Sequence, residues 1–175
     1  GQFSYPGGIA VDGSGYVYVA DTFENDPQKP GNYRVQKFTS DGVYVSQWGS
    51  KGSENGQFNF SNPYGGDGIA VDGSGFVYVT DSGNSRIQKF TSDGVFVTKW
   101  GSQGNCVDDS CNGQFGVDYR LQSLSGVTVD DSGFVYVADT WNHRIQKFTS
   151  DGQFVAKWGS SGAGDQNLSC PDRIA

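Results

Sequence analysis

The sequence says nearly the same thing three times. GGIAVDGSGYVYVADT with RVQKFTSDGVYVSQWGS returns as DGIAVDGSGFVYVTDS with RIQKFTSDGVFVTKWGS, and again as SGVTVDDSGFVYVADT with RIQKFTSDGQFVAKWGS. Asp12, Asp72 and Asp130 are equivalent, so the period is 60 and then 58 residues. A fixed period of this size restricts a chain to folds in which one small unit stacks on its own likeness. A further unit opens near Asn167 and reaches Ile174-Ala175.

Each unit carries four strand signals. Ile9-Ala10-Val11 is the first and Val17-Tyr18-Val19 the second. Arg34 to Phe38 alternates polar and apolar residues, as does Val43 to Trp48, the pattern of half-buried strands. Gly-Ser-Gly at 13–15 and Ser-Asp-Gly at 40–42 supply tight turns with glycine where a positive φ is needed. Four short antiparallel strands per repeat make the blade of a β-propeller, an all-β fold. The blades are expected over 6–50, 66–102 and 124–160, with the start of another over 167–175, all within a single domain spanning 1–175.

Chain direction sorts the loops onto two faces. The first-to-second and third-to-fourth turns share one face and are nearly identical in every unit. The second-to-third loops and the blade connections share the other face and vary strongly. The loop before Arg34 holds an insert, Glu24 to Gly31, that the other units lack. Variable loops on a rigid scaffold are where recognition usually resides, so a binding surface is expected on this second face.

The motifs G-I-A-V-D, V-Y-V-A-D-T, N-x-R-I-Q-K-F and G-x-F-V-x-K-W-G resemble the NHL repeat family, three times over and across nearly the whole chain. The resemblance implies a propeller, commonly of six blades. Three units are half of such a ring, to be completed by further blades of the same polypeptide or by other copies of the chain. Some members of the family bind RNA through a basic face. An amidating-lyase branch is a zinc enzyme that needs several histidines, whereas this chain has only His143. Other members are secreted or surface proteins that bind, adhere or scaffold.

Residues present in every unit are expected to serve the blade. Asp21, Asp81 and Asp139 end the second strands, and Arg34, Arg86 and Arg144 start the third. With Asn32, Asn84 or Asn142, each pair is read as a hydrogen-bonded loop clasp. Trp48, Trp100 and Trp158, with Phe38, Phe90 and Phe148, read as packing between blades. Non-recurring residues are better candidates for contact with a ligand: Trp141 and His143 in one variable loop, and Tyr64 in a blade connection. Asp108-Asp109 and Asp130-Asp131 offer oxygen ligands to calcium, but no D-x-D-x-D-G loop with a distal Glu accompanies them. No cofactor and no catalytic set is read from the residues: zinc spacing, a nucleophile elbow and a phosphate-cradling loop are all missing.

Cys106 and Cys111 are close enough in N-C-V-D-D-S-C to close a small disulfide loop. Cys170 is then left over, a candidate for pairing with another molecule. Bridges from Cys170 to Cys106 or Cys111 are the alternatives. Asn59-Phe60-Ser61 and Asn167-Leu168-Ser169 are N-glycosylation sequons. Together these features favour an extracellular protein, secreted or at the cell surface. Twelve basic against 19 acidic residues leave a net charge of −7, which repels phosphate backbones and argues against nucleic acid. No apolar run approaches the ~18 residues that span a bilayer, so membrane insertion is not expected. Methionine is absent, so Gly1 is read as the first residue of a processed or partial chain.

The reading from sequence is an extracellular, non-catalytic scaffold or interaction module that self-assembles into larger structures or fibres, with protein or glycan ligands. The alternatives are a propeller enzyme, a lyase or hydrolase completed by missing blades, or a glycan- or ligand-binding module using Trp141 and Tyr64.

Overall fold

The computed structural model describes residues 2–22, 31–60, 67–104, 111–116, 124–162, 164–172 and 174. They form three four-stranded antiparallel sheets. The first is β1 (Pro6–Val11), β2 (Val17–Asp21), β3 (Arg34–Phe38) and β4 (Tyr44–Trp48). The second is β5 (Ile69–Val71), β6 (Val77–Asp81), β7 (Arg86–Phe90) and β8 (Phe96–Trp100). The third is β9 (Leu124–Val129), β10 (Val135–Asp139), β11 (Arg144–Phe148) and β12 (Phe154–Trp158). Strand order follows chain order in each sheet, and the first strands β1, β5 and β9 lie side by side at the centre.

The hairpins are alike because the same chemistry closes each one. Asp12 Oδ1 accepts the backbone N–H groups of Ser14 and Tyr16, each at 2.9 Å, and its Oδ2 accepts the Tyr18 hydroxyl at 2.9 Å. Asp72 and Asp130 repeat the arrangement with Tyr78 and Tyr136. An aspartate folding its own backbone in this way fixes the turn and the register after it. Burial of the Tyr18 and Tyr78 phenols, reinforced by these bonds, holds their pKa values well above the ordinary tyrosine range.

The core lies between blades rather than within them. Val35, Phe58, Phe60, Ile69, Val77 and Phe90 join Tyr18 in one cluster, with Trp48 against it. Ile87, Phe115, Leu124, Val127, Val135 and Phe148 join Tyr78 in the other, with Trp100 against it. Every residue of β6 and β7 is buried, because the second sheet has a neighbour on each side. β8, at the rim, alternates between half-buried and exposed.

Glycine at the head of each first strand sets the blade spacing. A Cβ built on Gly8 would lie 2.9 Å from the Ile69 amide, and one on Gly68 would lie 2.6 Å from the Ser125 carbonyl. At Gly126 the neighbour is Ile174, whose amide would lie 2.9 Å away. Ile174 thus rests where the first strand of a fourth blade belongs.

Candidate functional site

The second-to-third loops and blade connections meet in a polar knot, built three times. In the second blade Asp81 is fully buried. Its carboxylate accepts from Arg86 Nε at 2.6 Å, Gln88 Nε2 at 3.0 Å, Asn84 Nδ2 at 2.9 Å and the Asn59 amide at 2.8 Å. Arg86 then donates to the carbonyls of Ser53, Glu54 and Gln57. The knot ties a blade to the connection that enters it. Asp21 does the same with Arg34, Gln36, Asn32 and the Ser4 amide. Asp139 does so with Arg144, Gln146, Asn142 and the Gly116 amide. Burial raises the Asp139 carboxyl above its ordinary range, against the pull of Gly116, Asn142 and Arg144.

Each of these carboxylates accepts from an Arg, a Gln, an Asn and a backbone amide, so the recurring Asp–Arg pairs are structural. The expected clasp is present and wider than the sequence reading drew it. Gln36, Gln88 and Gln146 were not singled out, nor was the short Gly-Gln-Phe motif at 1–3, 56–58 and 113–115. That motif recurs within connections read as merely variable. The carbonyls of Gln2, Gln57 and Gln114 receive the Arg and Gln donors, and Phe58 and Phe115 are wholly buried.

A second repeated device joins adjacent blades. Gly94 sits on the indole of Trp48, and Gly152 sits on that of Trp100. Lys37 Nζ donates to the Ser92 carbonyl at 3.0 Å while lying over the rings of Tyr16 and Tyr18. Lys89 repeats this with Ser150, Phe76 and Tyr78. In the third blade Lys147 lies over Phe134 and Tyr136, but no such carbonyl reaches it among the described residues. Trp158 is 46% exposed, unlike its two equivalents, and no turn glycine lies against it among the described residues. The inter-blade role expected of the tryptophans is seen at Trp48 and Trp100 among the described residues. On the opposite side, Ile9 and Val11 stand exposed and Gly42 has nothing against it.

Of the ligand candidates, Trp141 and His143 lie in and beside a 3-10 turn, Thr140–Asn142. Trp141 is half-buried rather than a free tip. His143 takes the left-handed conformation, φ +53°, that Tyr33 and Ser85 take in the other blades. Its Nδ1 accepts the Cys170 amide at 3.2 Å. Cys170 is free and exposed. Asn59 is half-buried and pinned through its amide to Asp81. Asn167 Nδ2 donates to the Ser161 carbonyl at 2.8 Å. Asp130 belongs to the hairpin turn described above. Tyr64, Cys106, Asp108, Asp109 and most of the Glu24 to Gly31 insert lie outside the described residues. Among the described residues no group of three His, Cys, Asp or Glu side chains converges as a metal site would.

One buried group stands apart from the knots. Asp67, at the head of β5, is 1% exposed, and neither carboxylate oxygen has a hydrogen-bond partner. Loss of water pushes its pKa to about 8. The nearby Ser82 opposes the rise, and Asp81 adds to it.

The NHL repeat family model matches residues 67–90 and 121–148, the β-hairpins that carry the knots of the second and third blades. This chain is an NHL-repeat β-propeller protein. Drosophila melanogaster protein brain tumor is 30% identical over 92% of the NHL chain, which spans 13% of that protein. Mouse peptidyl-glycine alpha-amidating monooxygenase is 29% identical over 85% of the chain, which spans 14% of it. The streptogramin B lyase structure superposes with a TM-score of 0.58 at 18% identity, over 98% of this chain and 45% of that one. The NHL chain thus spans a small part of its curated relatives. Their names include enzymes as well as a protein not named as one.

Proposed function

We propose that this NHL chain is a non-catalytic scaffold or interaction module of the extracellular space, assembling through the open sides of its blades. The observation that carries the reading is Trp158. Its two equivalents are lidded by glycine turns of the next blade, and its own lid is not among the described residues. An apolar sheet side with a lysine awaiting a carbonyl fits a blade of the same repeat. Further blades or another copy of the chain can supply one. The consumption of Asp21, Asp81 and Asp139 with Arg34, Arg86 and Arg144 within the knots supports a non-catalytic role. The relatives named as a monooxygenase and a lyase keep the enzyme reading as the rival.

In the same reading the Cys106–Cys111 bridge closes the second blade connection. That Cys170 is free favours this pairing over the two that use it. Light scattering on the chain tests assembly. Species heavier than one chain are expected, reverting toward single chains in Trp158→Gln and Lys147→Glu. A stable monomer of the unaltered chain would overturn the proposal.

A further inference from the structure

The chain has two Asn-Gly steps, Asn55-Gly56 and Asn112-Gly113, each running into Gln57 or Gln114 of the Gly-Gln-Phe motif. Each step is the centre of a tight turn. The Gln57 amide donates to the Glu54 carbonyl at 3.2 Å, and the Gln114 amide to the Cys111 carbonyl at 3.3 Å. Gly56 and Gly113 have φ of +77° and +74°, the geometry of a type II turn. Asn55 and Asn112 are exposed, and nothing lies within 4 Å of a Cβ built on Gly56. The turn nitrogens, by contrast, are held. The Gly56 N–H donates to Gln88 Oε1 at 3.0 Å, and the Gly113 N–H to Gln146 Oε1 at 3.0 Å. Both glutamines are wholly buried. Asp81 and the Gln57 carbonyl fix Gln88 Nε2, and Asp139 and the Gln114 carbonyl fix Gln146 Nε2.

We propose that Asn55 and Asn112 are sites of spontaneous isoaspartate formation, each held back by the knot of its blade. The Gly56 nitrogen attacks Asn55 Cγ and a C–N bond forms. The side-chain nitrogen leaves as ammonia, with the proton that Gly56 gives up. Water then opens the five-membered imide. Cleavage at Cγ gives aspartate, and cleavage at the main-chain carbonyl carbon gives isoaspartate, whose backbone runs through Cγ. Solvent water is the co-reactant. Glycine after the asparagine leaves no Cβ in the way of the ring. The attack needs a nitrogen that sheds its proton and swings toward Cγ. An N–H bound to a fixed, buried oxygen does neither until the site opens.

The two products differ in consequence. The third connection carries Asp165 at the same turn position, where the Asn167 amide donates to the Gly164 carbonyl at 2.9 Å, so the turn accepts an aspartate. Isoaspartate instead adds a methylene to the main chain just before Gly56. That displaces the Gln57 carbonyl, on which Arg86 and Gln88 converge, and frees the connection from the blade it enters. This chemistry does not depend on the assembly reading.

Trypsin separates the two sites, since Asn55 lies between Lys51 and Arg86 and Asn112 between Lys99 and Arg120. The chain is aged in mildly alkaline buffer with and without urea, and conversion of each asparagine is followed by mass spectrometry. Hydrogen exchange of the Gly56 and Gly113 amides is measured on the fresh chain. Both asparagines are expected to convert, more slowly when folded, and both glycine amides to exchange slowly. Gln88→Met keeps the length of the side chain and removes the acceptor. It is expected to speed Asn55 about five-fold, the worth of one net hydrogen bond, and to leave Asn112 unchanged. Gln146→Met is expected to do the reverse. Where circular dichroism shows that a variant has lost its sheets, the exchange of the unaltered chain decides. Equal conversion in folded and unfolded chain, a folded variant that speeds both sites or neither, or fast exchange of the glycine amides would overturn the proposal.

Discussion

Gly94 lies against the indole of Trp48 so closely that a Cβ built on it would fall 2.6 Å from Trp48 Cδ2. Gly152 and Trp100 repeat the contact to the same distance. The turn glycine of one blade is therefore a lid for the tryptophan of the blade before it. It answers two demands at once, a positive φ and the absence of a side chain.

Those demands separate by substitution. At Gly94, φ is +83° and the indole blocks any side chain, so Gly94→Ala is expected to cost about 3 kcal/mol. At Gly42, φ is +78° but nothing lies within 4 Å. There Gly42→Ala meets backbone strain alone, about 1 kcal/mol. Urea denaturation of the two variants measures the difference. Equal losses would mean that the lid contributes nothing.

The knot at Asp81 should behave as a unit. Asp81→Ala leaves Arg86 and Gln88 buried without their shared acceptor, a loss of about 3–5 kcal/mol. Arg86→Ala should cost a similar amount, and the double variant less than the two together. A thermodynamic cycle by denaturation decides it. Strict additivity would show that the groups act separately.

Asp67 gives the stability a pH dependence of known sign. Its proton is held in the folded state up to about pH 8 and in the unfolded chain only to about pH 4. Its contribution is therefore fully present below about pH 4 and declines as pH rises toward about 8. The slope between them is about 1.4 kcal/mol per pH unit. Asp67→Ser, which places there the residue that Ser125 provides in the third blade, should flatten that slope and raise the melting temperature at about pH 8. Parallel profiles for the variant and the unaltered chain would exclude Asp67 as the source.

Tyr78 should stay protonated in alkali for as long as the blade is folded. Burial first, and then the bond to Asp72, raise its phenol. An absorbance titration of Tyr78→Phe should lose no early-ionising signal, only the last phase. The variant should also be less stable by about 1 kcal/mol, the value of one buried hydrogen bond. Loss of an early phase would show that the hydroxyl is open to water.

The blades were legible because their information is local. Asp12 with Gly15 specifies a turn within a few residues. The polar and apolar residues of Arg34 to Phe38, led by Arg34-Val35-Gln36, mark a strand. The Asp81–Arg86 clasp was legible for the same reason: its partners are five residues apart. The share of Gln88 and of the Gln57 carbonyl was not read, because the Gln57 contacts reach across about 30 residues. Yet the threefold recurrence of Gly-Gln-Phe was a signal in plain sight.

The sequence by itself determined the repeating unit, its four strands and its turns, since each depends on neighbours along the chain. Only the tertiary structure decided which copies of an identical residue are satisfied. Trp48, Trp100 and Trp158 are the same in pattern, but Trp48 and Trp100 lie under a turn glycine of the blade that follows each, while Trp158 is 46% exposed. The same holds for His143 and Cys170, whose contact exists because the segment after the third blade folds back onto that blade's own loop. Proximity of that kind is made by packing, and no local pattern encodes it.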